Sequence, residues 1–141
     1  MTLSTFAAGQ PAMPGVDTAY RPGICNIGPE EIRRRRRAGH IGLVATFVVL
    51  AVLIAVGAPP LTRLLVALPA AAAASGYLQA WFKFCAGFGS MGVFNFGPLG
   101  ETHEVVDDDA RALDRSKARR IGLASFGIGV TVGLLAVLLP V

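Results

Sequence analysis

The run IGLVATFVVLAVLIAVG, residues 41–57, contains no Asp, Glu, Lys, Arg or His over 17 positions. A hydrocarbon core about 30 Å thick is crossed by roughly 20 helical residues rising about 1.5 Å each, and flanking residues bring the run to that length. The same signature recurs in LLVALPAAAAASGYLQAWF, residues 64–82, and in IGLASFGIGVTVGLLAVLLPV, residues 121–141, over 19 and 21 positions. These three runs define an all-α integral membrane protein with transmembrane helices at about 40–57, 62–82 and 121–140. Composition agrees, with 53% hydrophobic residues, 16% charged residues and a mean hydropathy of +0.57. The first apolar run follows a charged stretch and no short apolar core with an A-x-A-like site precedes it, so no signal peptide is expected.

The cations are sorted around these runs. Of 13 Lys and Arg, six precede the first span (Arg21 and Arg33, Arg34, Arg35, Arg36, Arg37) and six fall between the second and third (Lys83, Arg111, Arg115, Lys117, Arg119, Arg120). Only Arg63 lies between spans one and two. Cytoplasmic loops carry the Lys/Arg excess. The expected topology is therefore multi-pass in a bacterial cytoplasmic (inner) membrane. The N-terminus and the 83–120 loop face the cytoplasm, while the Ala58–Arg63 turn and the C-terminus are outside. Arg33–Arg37, Lys83, Arg119 and Arg120 read as topology determinants and contacts to anionic lipid. A basic residue near such a surface contributes about 1 kcal/mol. Five consecutive arginines also suit nucleic acid, but their junction with an apolar span favours the lipid reading, and no nucleic acid is expected as a partner.

Outside the spans, residues 1–28 lack helical periodicity and read as a flexible tail, ahead of a single helical membrane domain over 29–141. Gly28-Pro29-Glu30-Glu31 is a helix start, with Pro at a position that tolerates a missing N–H and carboxylates at the positive end of the dipole. A basic cytoplasmic helix is predicted over 29–38, with Gly39 and Gly42 as points of bending, followed by a helical hairpin over 40–82. Pro59-Pro60 ends the first span, and Pro69 predicts a kink in the second. Tyr77, Trp81 and Lys83 suit an interface. Residues 84–100, with five Gly and four Phe, read as an interfacial, re-entrant or packed loop, because a full crossing would export the basic residues that follow. Acidic residues at 101–109 followed by Arg119 and Arg120 predict a short cytoplasmic helix before the third span, with Asp107 and Arg111 spaced to pair. In the third span, Ser125, Gly129 and Gly133 recur every four residues, a small-residue face for helix packing.

The pattern Asn26-Ile27-Gly28-x-x-Glu31-x-x-Arg34, then Gly39, two apolar segments, Gly76 and Phe84-Cys85-Ala86-Gly87-Phe88-Gly89-Ser90-Met91-Gly92 resembles a known family. It is similar to the small bacterial inner-membrane proteins related to the transmembrane domain of the rhodanese YgaP. The resemblance spans about residues 25–92. Ala86 and Phe88 stand where that family has Pro and Tyr, Glu31 stands one position from its acid, and the third span is additional. The resemblance implies a two-helix core packed as a homodimer and brings no assigned activity; the chain contains no rhodanese domain.

Chemistry-bearing side chains are few. Cys25 and Cys85 could form a redox or sulfur-relay pair, since neighbouring arginines lower a thiol pKa; as two reduced cysteines they are also small buried hydrophobes. His40 and His103, the latter with Glu101, Glu104 and Asp107, lack the spacing of a metal motif, so neither metal nor cofactor is expected. Gly87-x-Gly89-x-x-Gly92 has no preceding strand and is not a dinucleotide fingerprint. The uncharged runs 41–57, 64–82 and 121–141 hold no carboxylate, lysine, arginine or histidine of the kind that marks a transport path. The sequence favours a non-catalytic membrane protein that self-associates or serves as an accessory, structural subunit of a larger complex, with lipids as its other partners. A thiol or sulfur-transfer protein using Cys25 and Cys85 is the alternative.

Overall fold

The computed structural model describes residues 20–141, which form helix α1 (Pro29–Ala55), a 3₁₀ segment (Pro60–Val66), α2 (Ala67–Phe82), α3 (Ala86–Met91), strands β1 (Val93–Phe94) and β2 (His103–Glu104), and α4 (Asp108–Val137). The fold is all-α, and three helices, Pro29–Ala55, Pro60–Phe82 and Asp108–Val137, are long and apolar enough to cross a membrane. The protein is therefore a multi-pass membrane protein, with its apolar helices in contact with lipid.

Helix lengths refine the sequence boundaries. The basic stretch 29–38 is the first part of α1, which continues through Gly39 and Gly42, and the helix expected before the third span is the opening of the single α4. Contacts group the chain into two compact units. Among the described residues, one comprises those up to Arg34 with Gln79–Arg119, the other Arg35–Leu78 with Arg120–Val141.

In the first unit, the expected tail 1–28 falls partly outside the described residues, but residues 20–28 are folded. Arg21 bridges Cys25, and Ile27 pairs in parallel with Asn95. Cys25, Phe94, Phe96, Val105 and Ala110 form the apolar core, with Tyr20 against it. The tail reading misses this because pairing with a distant segment needs no local period. Residues 84–100 are likewise ordered by α3, by the antiparallel β1–β2 pair and by buried Phe84, Phe94 and Phe96.

α2 ends in a Schellman-type turn. Phe84 N–H donates to the Gln79 carbonyl at 3.0 Å and Lys83 N–H to that of Ala80 at 3.4 Å. Lys83, with φ +53°, occupies the left-handed position usually given to glycine. Asp107 does not pair with Arg111. Its carboxylate caps α4 by accepting from Ala110 N–H at 3.2 Å, and Arg111 donates to Glu104 at 2.6 Å and to the Val105 carbonyl at 2.5 Å. An aspartate at a helix start satisfies an orphan N–H, which an exposed i, i+4 pair does not.

In the second unit, small residues set the helix contacts. A Cβ on Gly42 would lie 2.7 Å from Ala73 N, and one on Gly76 would lie 2.5 Å from Gly39 N. Gly39 and Gly42 thus serve close approach between α1 and α2. Pro69 falls in the first turn of α2, after the 3₁₀ segment. It lacks an N–H close to the point where the 3₁₀ segment passes into the α-helix.

Candidate functional site

Asn26 organises the first unit. Its side-chain amide donates to the Cys85 carbonyl at 3.1 Å and accepts from Cys85 N–H at 2.7 Å, so a side chain pairs with a backbone as a neighbouring strand would. Its own backbone is occupied too, with Asn26 N–H donating to Lys83 and Asn95 N–H donating to Asn26. Asn95 turns the loop beyond it, accepting from Gly97 N–H at 2.8 Å and donating to the Pro98 carbonyl at 2.9 Å. Asn26 and Asn95 are both fully buried, where unmet hydrogen bonds would be costly. Gly28 allows the segments to close: a Cβ there would lie 2.8 Å from the Phe96 oxygen.

Both thiols lie within this clamp. Cys25, 5% exposed, belongs to the apolar core and its Sγ lies 3.7 Å from the Ile27 carbonyl. Cys85, 2% exposed, caps α3, its Sγ accepting from Phe88 N–H at 3.5 Å. Neither forms a disulfide among the described residues.

A second buried polar group, Asp114, ties the chain's entry to α4. It accepts from the Tyr20 hydroxyl at 2.5 Å and from Gly23 N–H at 2.7 Å. Burial, then this hydrogen bond and the Asp114 charge, push the Tyr20 phenol well above its ordinary pKa and keep it a donor. Gly89 completes the junction, since a Cβ there would strike the Phe84 ring at 2.7 Å. Sequence reasoning passes over Asp114 because an acidic residue among basic ones looks like surface charge.

The basic residues divide into two kinds. Arg33 pairs with Glu30, and Arg34 lies 3.9 Å from buried Glu31. Arg35 is half-buried, whereas Arg36 and Arg37 are exposed without an acidic partner among the described residues. Lys83, Arg119 and Arg120 are also exposed. Arg63, expected in an exposed turn, is instead 4% exposed and donates to the Leu139 carbonyl at 2.9 Å and to the Val141 main-chain oxygen. A guanidinium there satisfies carbonyls at the negative end of α4.

The small-residue face of α4 packs inside the chain. Cβ atoms on Gly129 and Gly133 would lie 2.6 Å from Ala71 Cβ and 3.0 Å from Ala67 Cβ, and Ser125 is buried with its hydroxyl donating to Ile121 at 2.7 Å. Gly122 and Gly127 have open space around them. Nearby, a groove of about 410 Å³ is lined by residues of α1, α2 and α4, including Leu43, Phe47, Ala73 and Val132.

His40 and His103 are not brought together with other ligands, and the described residues contain no group of three His, Cys, Asp or Glu suited to a metal. His40 meets Tyr77, and His103 packs on Phe94 at 5.5 Å. No family model matches the chain, and no curated protein or solved structure matches it either.

Proposed function

We propose that the chain is a non-catalytic integral membrane subunit that self-associates or serves as an accessory, structural component of a larger membrane complex. The observation that carries this reading is the closure of the Asn26–Cys85 clamp. The polar groups around the thiols bond to backbone, and both thiols are buried, whereas a reacting centre needs an accessible nucleophile. A wide outward apolar surface accompanies it: Leu123 is 72% exposed and Phe126 67%, beside Gly122 and Gly127 with open space around them. With Gly129 and Gly133 engaged internally, this outward face of α4 is the surface offered to another helix.

The proposed orientation has the N-terminus and the 83–120 region in the cytoplasm and the C-terminus outside, in a bacterial inner membrane; the distribution of Lys and Arg supports it. Kinship with the YgaP-related membrane proteins is part of the proposal. It gains support from the meeting of the two segments that carry the resemblance, Asn26 and Gly28 on one side and Cys85 on the other.

The thiol-transfer alternative is separated by labelling. With a membrane-permeant maleimide, Cys25 and Cys85 in the folded protein are expected to react at least tenfold more slowly than in denaturant. Rapid modification of either thiol in the native membrane, with transfer of a persulfide sulfur to it, would replace the structural reading with the catalytic one.

A further inference from the structure

The groove in the second unit carries an inference that rests on the membrane reading and adds a ligand to it. Its lining is apolar except for Thr46 and Tyr77, whose hydroxyls are both already hydrogen-bonded within the chain. The Thr46 hydroxyl donates to the Gly42 carbonyl at 2.7 Å, and the Tyr77 hydroxyl lies 2.7 Å from His40 Nδ1. Phe47, 64% exposed, marks its open side. Such a hollow suits a chain of methylenes and offers nothing to a polar occupant.

Beyond one end of the groove, the α1 face that lines it carries a cation. Arg36, His40, Leu43, Phe47 and Leu50 follow one another at spacings of four and three residues, which places them on one face of α1. The lining residues Leu43, Phe47 and Leu50 are thus continued by His40 and then by Arg36. Both are exposed, and helical side chains lean toward the N-terminus, carrying the Arg36 guanidinium further from the apolar end. His40 Nε2 remains available after Nδ1 meets Tyr77. From His40 to Leu50 the helix rises about 15 Å, half the hydrocarbon thickness and the depth of one leaflet. No acidic residue lines the groove.

We propose that this groove holds one acyl chain of an anionic glycerophospholipid whose phosphate is bound by Arg36, with His40 at the level of the glycerol esters. The charge selects the occupant: a second apolar helix would have no use for a cation and an imidazole continuing the same face, whereas a lipid needs both ends.

The full chain is assembled into nanodiscs of equimolar phosphatidylglycerol and phosphatidylcholine, and the lipids retained on release are counted by native mass spectrometry. One retained lipid, mostly phosphatidylglycerol, is expected. Arg36→Gln should lower the preference for phosphatidylglycerol about fivefold, while Arg119→Gln, a cation outside this face, should leave it unchanged. Val132→Trp, which fills the groove, should remove retained lipid of both classes. Equal effects of the two arginine changes would reduce the site to diffuse surface attraction and overturn the proposal. So would lipid retention in a folded Val132→Trp protein, or the loss of an oligomer from that variant with its lipid count intact, which would make the occupant a second copy. If Val132→Trp does not fold, the two arginine variants decide. Protein mass, read in the same spectra, reports assembly separately, so failure of the lipid site and failure of the subunit reading are distinguishable.

Discussion

Asn26→Ala is expected to destabilise the protein by about 2–6 kcal/mol, because it strands both the N–H and the carbonyl of buried Cys85 and each lost buried partner costs about 1–3 kcal/mol. Against a total folding stability of about 5–15 kcal/mol, that loss releases the clamp over residues 20–28 and 83–96. Thermal unfolding in detergent should show a large fall in Tm, and limited proteolysis should cut between α2 and α4 at protease concentrations that spare the parent chain. Ser90→Ala is the matched control. It too removes a side-chain bond to backbone, from the Ser90 hydroxyl to Ala86 at 2.9 Å, but on an exposed residue; its effect should stay within about 0.5 kcal/mol. An Asn26→Ala protein as stable as the control would mean that the clamp does not hold the first unit together.

Gly129→Ile should be the more severe of two isoleucine substitutions only two residues apart. Its Cβ alone would stand 2.6 Å from Ala71 Cβ and 2.7 Å from the Ala67 carbonyl oxygen, leaving no space for the rest of the side chain. Overpacking costs about 1–3 kcal/mol where neighbours can shift, and here one neighbour is backbone. The expected result is loss of folded protein on gel filtration in detergent. A Cβ at Gly127 meets nothing within 4 Å, so Gly127→Ile should fold normally. If the outward face of α4 contacts another helix, Gly127→Ile alters assembly while leaving the subunit intact. The reverse ranking would show that the small-residue face meets a partner chain and not α2.

The three membrane helices were legible in the sequence because lipid excludes charge over a fixed length, a constraint that acts residue by residue. The Gly129 and Gly133 face was legible as a packing surface, but spacing alone does not identify its partner, which is the chain's own α2. Asn26 and Cys85 are 59 positions apart, and no periodicity links them; the only sequence signal was their presence in the two segments of the family resemblance. A single arginine between two spans reads as a loop cation, and nothing local in the sequence signals that Arg63 is buried. Its role at the end of α4 depends on a carbonyl cluster more than 70 residues away. At Asp107 and Arg111 two local rules compete, and helix capping prevails over side-chain pairing.

The most direct test of the central claim is native mass spectrometry of the protein released gently from its own membrane. A homo-oligomer, or a stoichiometric complex with a larger membrane protein, is the predicted result. A monomer without a protein partner would contradict the assignment as a membrane subunit.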